Sequence, residues 1–224
     1  MIEYYNEDCM VGMARYPDKH FDLAIVDPPY GLPSDSSNGR GKLKNRVFNQ
    51  GGIADKWDIA PDNVYFNELF RVSNNQVIWG GNYFDLPPTR GIICWDKVQP
   101  WENFSQIEYA WTSFNVPAKL FRLDNRTGDK THPTQKPIAL YKWLLKNYAK
   151  QGDLILDTHV GSASSLIACY DMGFDAVGFE LDPDYYKASK QRLDDFMRQP
   201  RIDQIVQENK EQLDMFDRPD YSKP

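Results

Sequence analysis

An acid, two prolines and a tyrosine follow a short apolar run near the start of the chain. Asp27, Pro28, Pro29 and Tyr30 come directly after Phe21–Val26, which has the length and composition of a buried strand. Two adjacent prolines cannot continue a strand or a helix, because each fixes its φ at about −65° and lacks an N–H donor. The pattern therefore predicts a rigid stop that holds a carboxylate and an aromatic ring at fixed positions.

A second group of functional residue types lies in the last third of the chain. Asp157 ends one predicted strand, Gly161 lies in a turn of small residues, and Glu180 ends the next predicted strand. Strand, turn, helix and strand at this spacing form a βαβ unit and indicate a parallel sheet. In nucleotide-binding folds, small residues let the ligand approach the backbone, and an acid at the end of the second strand bonds the ribose hydroxyls.

The turn in this βαβ unit reads HVGSAS, with one glycine instead of the G-x-G-x-x-G of dinucleotide sites. The pattern favours a nucleoside without phosphates, of which S-adenosylmethionine is the common one. An ordinary tight turn with a solvated Glu180 remains the alternative.

The rest of the pattern predicts an α/β fold. Asp62 is the expected N-cap of a helix that runs to Val72, and Pro137 is the expected start of an amphipathic helix that runs to Ala149. Gly173 should close the helix of the βαβ unit. Further strands are expected at residues 1–5, 76–81, 91–97 and 107–114, and further helices at residues 10–16 and 184–197.

Composition fits one domain in a reducing cytoplasm. The chain has 224 residues, of which 41% are hydrophobic and 14% aromatic, enough for a real core. No apolar run approaches the ~20 residues that cross a bilayer, and acids interrupt any apolar start, so we expect a cytoplasmic protein. The three cysteines, Cys9, Cys94 and Cys169, follow no zinc or disulfide spacing, and we expect no metal site.

Charge is unevenly distributed along the chain. The formal net charge of −6 argues against a protein that coats nucleic acid nonspecifically. A locally basic face is nevertheless compatible with the sequence, because the long polar stretch 31–60 and the stretch 97–131 both contain basic clusters. The first cluster consists of Arg40, Lys42, Lys44 and Arg46, and the second of Lys119, Arg122, Arg126 and Lys130.

The two functional segments together resemble the amino-group DNA methyltransferases, whose signature is (D/N/S)-P-P-(Y/F/W) plus a glycine-containing cofactor turn. The DPPY motif precedes the cofactor turn, as in the circularly permuted class called β. The likeness covers most of residues 1–197, where NEDC, DPPYG, VIWGGNYF, IEYAWTS, THPTQKP, DTHVGSASS and VGFELD occur in the family's order. The pattern looks most like the small solitary adenine methyltransferases of phages and prophages.

This resemblance implies a Rossmann-like S-adenosylmethionine-dependent fold, with a mostly parallel sheet flanked by helices, in a catalytic domain of residues 1–197. It also implies roles at the DPPY motif. Asp27 and the carbonyl of Pro28 would accept hydrogen bonds from the amine of the target base, and acceptors fixed in advance stabilise the charge that grows on nitrogen. Pro29 helps to fix these directions, and Tyr30 would stack on a base flipped out of the duplex.

The resemblance also assigns cofactor contacts. Glu180 would bond the ribose hydroxyls, Asp8 and the backbone around Cys9 would meet the adenine ring, and His132, Thr134 and Lys136 would close over the methionine end. The alternatives are an exposed loop acid for Asp8 and helix-entry residues for His132 and Lys136. The methionine and ribose side would be lined by Asp157, Gly161 and Ser162.

The cofactor turn departs from the family's usual D-P-F-x-G-S-G-T. His159 stands in place of the Phe, where it would stack or simply fill space, and Ala163 stands in place of a glycine. The departure puts the affinity for S-adenosylmethionine in question.

Double-stranded DNA with a flipped target base is the substrate that the resemblance implies. Residues 31–60 and 97–131 are left to read its sequence, partly through the basic loop from Arg40 to Arg46. Asp27 as the first motif residue favours adenine-N6 as the target, and cytosine-N4 is the alternative. A DNA- or clamp-binding module without methyl transfer is the second alternative. The recognition site, a homodimer and a restriction partner stay open.

The tail, residues 198–224, is expected to be helical or flexible and contains the sequence QLDMF. This sequence resembles the pentapeptide Q-L-(S/D)-L-F with which bacterial proteins dock on the DNA polymerase sliding clamp. Gln212 would bond the rim of the clamp pocket, while Leu213, Met215 and Phe216 would fill an apolar groove. The alternative is a terminal helix packed on the domain, because the apolar residues of the tail have roughly helical spacing.

Overall fold

An eight-stranded sheet organises the part of the chain that the computed structural model describes, which is residues 1–31, 59–100, 105–124 and 135–199. The strands are β1 (Ile2–Asn6), β2 (Phe21–Val26), β3 (Ser73–Trp79), β4 (Ile92–Asp96), β5 (Ile107–Thr112), β6 (Lys119–Arg122), β7 (Leu154–Asp157) and β8 (Asp175–Glu180). The helices are α1 (Cys9–Met13), α2 (Asn63–Val72), α3 (Ile138–Tyr148), α4 (Ser164–Met172) and α5 (Pro183–Arg198).

The strand order is β1-β8-β7-β2-β3-β5-β4-β6. Only β5 runs against the others, because it pairs antiparallel with both β3 and β4 while the other neighbours are parallel. The mostly parallel sheet expected from the sequence is confirmed. From β2 the chain continues to β3 on one side, and from β7 it continues to β8 on the other, so the sheet has its topological switch point between β7 and β2.

The helices begin and end where the capping residues predict. Asp62 caps α2 by accepting hydrogen bonds from the backbone N–H groups of Val64 and Tyr65. Asp182 caps α5 in the same way. Gly173 closes α4 at a φ of +75°, in the left-handed region that favours glycine.

Side chains on both faces of the sheet are buried, which gives three layers. On one face, α3, α4 and α5 pack against strand residues such as Ile25 and Val77. On the other face, α1 and α2 pack against Ala24, Ile78 and Phe179. Alternation along β2 therefore sends successive side chains into two separate cores. None of the helices in the described segments has the length and hydropathy to span a bilayer.

The structure describes part of the second basic cluster and leaves several of the expected site residues outside the described segments. The short strand β6 was not predicted, and it places Lys119 and Arg122 of the second basic cluster on a sheet edge. The stretch 97–131 thus contributes β5 and β6 to the sheet, and its part in DNA reading stays a prediction. The expected site residues outside the described part are Arg40, Lys42, Lys44, Arg46, His132, Thr134, Gln212, Leu213, Met215 and Phe216.

Candidate active site

The two predicted functional segments meet at the switch point of the sheet. Residues 27–30 follow β2, and the turn 158–163 follows β7, its parallel neighbour. Glu180 ends β8, the next strand along. The carboxyl ends of parallel strands share one edge, and open α/β sheets bind their ligands at this edge beside the switch point. The fold therefore brings the DPPY motif and the cofactor-type turn together.

The carboxylate of Asp27 is held by two donors. The Tyr30 hydroxyl donates to Oδ1 at 2.6 Å, and the Lys136 ammonium donates to Oδ2. The Asp27 side chain is 16% exposed, so it is largely shielded but still reachable from the sheet edge. Two donors on different oxygens fix the plane of the carboxylate.

The ring of Tyr30 is held in place by aromatic neighbours. Its ring stacks on Tyr83, with 5.0 Å between centroids and 24° between planes, and meets Phe84 edge-on. Gly80, at a φ of +69°, makes this possible, because a Cβ there would lie 2.2 Å from Tyr30 Cε1. Burial, and then the neighbouring Asp27 charge, raise the pKa of the Tyr30 hydroxyl. The hydroxyl therefore remains a donor at neutral pH.

Lys136 lies at the DPPY motif, and the contact with the methionine end of the cofactor that the resemblance implies stays a prediction. Its Nζ contacts Asp27 and lies 3.2 Å from Glu108 Oε2. The other carboxylate oxygen of Glu108 pairs with Lys97. Burial alone would lower the pKa of Lys136, but the carboxylates of Asp27 and Glu108 outweigh it and the pKa is raised.

Glu180 is bonded to the turn and is not a freely solvated acid. Its Oε2 accepts from the Gly161 N–H at 2.9 Å, and its Oε1 accepts from the Asp182 N–H at 3.0 Å. Gly161 has a φ of +55°, which directs its N–H to the carboxylate. Burial raises the pKa of Glu180, and the bonds from these N–H groups oppose that rise.

Asp157 and Ser162 face into the protein and give the turn its shape. Asp157 accepts from the His159 N–H at 3.0 Å and from the Ser165 hydroxyl, and it is 3% exposed. Its burial raises its pKa to about 7. The Ser162 hydroxyl bonds that of Ser164, in the first turn of α4.

The two residues that depart from the family's cofactor turn, His159 and Ala163, both have a defined environment in the structure. The His159 ring lies edge-on to Tyr65 of α2, and its Nδ1 bonds the Thr158 hydroxyl at 2.9 Å, which in turn bonds the Tyr65 hydroxyl at 2.6 Å. Burial lowers the pKa of His159 to about 4, so the ring is neutral at pH 7. Ala163 is buried at a φ of +62°, a conformation that suits glycine.

Asp8 is a helix cap in this structure. Its Oδ1 accepts from the Met10 N–H at 2.7 Å at the start of α1. Cys9 follows as the first residue of that helix, and burial raises the pKa of its thiol to about 12.

Sequence reasoning missed the residues that surround the DPPY motif. Glu108 is the only charged residue in the stretch IEYAWTS, and this isolated charge was the available signal. Tyr83 and Gly80 belong to the sequence VIWGGNYF, which matched the family pattern but was given no role.

Comparisons with known proteins agree with this arrangement. The class that the fold defines is the Rossmann-like methyltransferases. The chain belongs to the N6/N4 family of DNA methylases, whose model matches residues 55–191.

Individual relatives are distant. The type II methyltransferase M2.MboI of Moraxella bovis is 25% identical over an alignment of 241 positions, which covers 84% of this chain and 86% of that protein. Among solved structures, that of the M1.HpyAVI–SAM complex has a TM-score of 0.58 at 19% identity, covering 86% of this chain and 99% of the other. The cytosine-N4-specific PvuII DNA methyltransferase also has a TM-score of 0.58, at 13% identity, covering 87% and 90%. At these identities the structures establish the fold.

Proposed function

We propose that the protein is a DNA adenine-N6 methyltransferase with S-adenosylmethionine as the methyl donor. The observation that carries the proposal is the placement of Asp27–Tyr30 after β2 and of the nucleoside-type turn after β7, on neighbouring strands at the switch point. Membership of the N6/N4 family and the methyltransferase fold agree with it. Asp27 as the first residue of the motif favours adenine over cytosine.

The residues at the edge of β7 and β8 fit this cofactor. The Glu180 carboxylate is held by two backbone N–H groups and keeps lone pairs for the ribose hydroxyls. The turn has one glycine, at Gly161, so it suits a nucleoside better than a pyrophosphate. When bound, S-adenosylmethionine supplies a sulfonium-activated methyl group. We assign its ribose to Glu180 and its adenine to the segment around Asp8 and Cys9.

The DPPY motif orients the amine of the target base. The free lone pairs of the Asp27 carboxylate and the Pro28 carbonyl accept from the NH₂ group, so that its nitrogen becomes more sp³-like. Because both acceptors are fixed before reaction, they stabilise the positive charge that develops on nitrogen without reorganisation. Tyr30 provides an aromatic surface for a base taken out of the duplex.

Cytosine-N4 methylation is the second candidate, because a fold relative, the PvuII enzyme, is cytosine-N4-specific. The test is transfer of a tritiated methyl group from S-adenosylmethionine to mixed-sequence duplex DNA, followed by nucleoside analysis. We expect N6-methyladenine. N4-methylcytosine would establish the second candidate, and cofactor binding without transfer would establish a module that has lost catalysis.

The variant Asp27→Ala tests the proposed mechanism. We expect transfer to fall below detection while binding of S-adenosylmethionine remains measurable by calorimetry, because Asp27 acts on the amine and not on the cofactor. The exposed Asp85 supplies the matched control, and Asp85→Ala should transfer at the wild-type rate. Retained transfer by Asp27→Ala would refute the mechanism.

Two partner hypotheses rest on the sequence alone. The basic segment from Arg40 to Arg46 is proposed to contact DNA, and substitution of its four basic residues by Gln should weaken DNA binding and reduce its dependence on salt. The QLDMF segment is proposed to dock on a bacterial sliding clamp. Calorimetry with a peptide of residues 205–224 tests this second hypothesis, which absence of binding would eliminate.

A further inference from the structure

Four charges of alternating sign form a chain of ion pairs that starts at the DPPY motif, called the ion chain below. They are the carboxylate of Asp27, the ammonium of Lys136, the carboxylate of Glu108 and the ammonium of Lys97. The residues come from four places in the chain: the end of β2, the approach to α3, strand β5 and the end of β4. The set is electrically neutral as a whole, so removal of one member leaves a neighbour without its counter-charge.

The ammonium of Lys136 is enclosed on several sides. Its side chain is 4% exposed, and Nζ lies 5.2 Å from the centroid of the Trp79 ring and 5.9 Å from that of Tyr30. Moving an ammonium out of water costs several kcal/mol unless it is paired and hydrogen-bonded. Two carboxylates and two aromatic faces provide that compensation. Such a costly arrangement at the end of a sheet needs a purpose beyond filling space.

The hydrogen bonds around Asp27 are well defined. The Lys136 ammonium bonds Asp27 Oδ2 and the Tyr30 hydroxyl at 3.4 Å, and its contact with Glu108 Oε2 at 3.2 Å is an ion pair. The Tyr30 hydroxyl donates a hydrogen bond of 2.6 Å to Asp27 Oδ1. Each oxygen of Asp27 thus has one fixed donor and keeps acceptor capacity for the target amine.

We propose that Lys136 is a positioning residue for methyl transfer and that Glu108 is its anchor. The ammonium bonds one oxygen of the Asp27 carboxylate and so holds its remaining lone pairs toward the amine of the flipped base. Glu108, on the antiparallel strand β5, fixes the ammonium from the other side. This inference rests on the proposed function, because it names the residues that prepare Asp27 for it.

Loss of Lys136 should affect the chemical step more than binding. Without the ammonium, the Asp27 carboxylate keeps only the Tyr30 hydroxyl as a fixed donor and gains rotational freedom, so the acceptor is no longer fixed before reaction. For Lys136→Met, which keeps the length of the side chain, we expect kcat to fall about 100-fold. The Kd of S-adenosylmethionine should change less than about 3-fold, because Lys136 bonds the DPPY motif and not the cofactor turn.

Matched variants separate positioning from a structural role. Glu108→Gln should lower kcat about 10-fold, because it weakens the anchor but leaves the pair with Asp27. Lys142→Met, at a half-exposed lysine of α3 paired with Asp171, should leave kcat unchanged. In Lys136→Ala, added propylammonium should restore part of kcat, since a free ammonium can occupy the vacated space. An unchanged kcat in Lys136→Met, or a loss confined to cofactor affinity, would overturn the proposal.

A second measurement does not require catalysis, so it also applies to variants that transfer no methyl group. Nitrogen-15 NMR of lysine ammonium groups follows the pKa of Lys136 in the folded protein, whose folding is checked by thermal unfolding. We expect Asp27→Asn and Glu108→Gln each to lower the pKa of Lys136, because each removes a charge that raises it. If neither substitution moves it, the ion chain does not exist in solution. If the wild-type protein binds cofactor and DNA but transfers no methyl group, the proposed function fails while this measurement still decides the ion chain.

Discussion

The ring of Tyr83 lies on the ring of Tyr30, with 5.0 Å between the centroids and 24° between the planes. Tyr83 is 45% exposed and follows β3 by a tight turn at Gly80. Stacked bases are about 3.4 Å apart, so a base between two rings requires a separation of about 7 Å. A base that stacks on this face of Tyr30 must therefore displace the ring of Tyr83.

This relationship predicts a role for Tyr83 in holding the flipped base. Stacking on an aromatic ring contributes about 1–3 kcal/mol per base, so Tyr83→Ala should raise the KM for DNA about 10-fold or more. Tyr83→Phe keeps the ring and should behave as the wild type. The fluorescence of 2-aminopurine at the target position reports the flipped state directly, and an unchanged signal in Tyr83→Ala would exclude contact with the base.

The backbone at Ala163 predicts a substitution that does not destabilise the protein. A left-handed φ costs a non-glycine residue about 1–2 kcal/mol, and Ala163 has a φ of +62°. Ala163→Gly removes that cost and loses one buried methyl group, worth about 0.8 kcal/mol, so its stability should equal or exceed that of the wild type. Ala168→Gly, the same change inside α4, should cost about 1 kcal/mol or more. Urea unfolding compares the two, and equal losses would contradict the explanation.

The elements around the site were predictable where the local pattern was strong. Apolar runs that end at Asp27 and Asp157, the Asp62 cap and the glycine at 173 were all legible from neighbours in sequence. The contact between Lys136 and Asp27 was not, because it joins residues 109 positions apart and follows a polar stretch that gives no periodic signal. Strand β6 was also missed, since it has only four residues, KLFR, with a charged residue at each end, and it lies at an edge of the sheet.

The pKa values of two residues of the cofactor turn, Asp157 and His159, are shifted in opposite directions. The pKa of Asp157 rises from 3.8 in the unfolded chain to about 7, so the folded state binds more protons between these values and this group's contribution to stability falls as pH rises. The pKa of His159 falls from 6.5 to about 4, so its contribution rises with pH over nearly the same range. The two contributions oppose each other in the wild type.

Replacing either residue should reveal the pH dependence of stability that the other contributes. Relative to the wild type, His159→Phe should lose roughly 2–3 kcal/mol of stability between pH 4.5 and 7, at about 1.4 kcal/mol per pKa unit. Asp157→Asn should show the opposite trend and gain stability over this interval. Urea unfolding at intervals of one pH unit measures both slopes, and parallel curves for the three proteins would contradict the assignment.

Glu180 is expected to determine cofactor affinity. Glu180→Gln removes a charged acceptor for the ribose hydroxyls and replaces one oxygen by a donor facing backbone N–H groups, so the Kd of S-adenosylmethionine should rise about 10-fold or more. Asp175→Asn changes an exposed carboxylate at the opposite end of the same strand and serves as the control. Calorimetry measures both, and equal affinities would place the ribose elsewhere.

The pairing of β2 with β7 has a consequence for how the protein is made. Leu23 pairs with Ile155, and Ala24 with Leu156, across more than half the length of the chain. Closing so long a loop is slow, because the chain loses conformational entropy before the stabilising contacts between the two strands form. A growing or truncated chain that ends before Leu154 contains the complete Asp27–Tyr30 motif but lacks β7, one of the two strands that flank β2. Competence to modify DNA is thus reserved for chains whose synthesis has passed this strand.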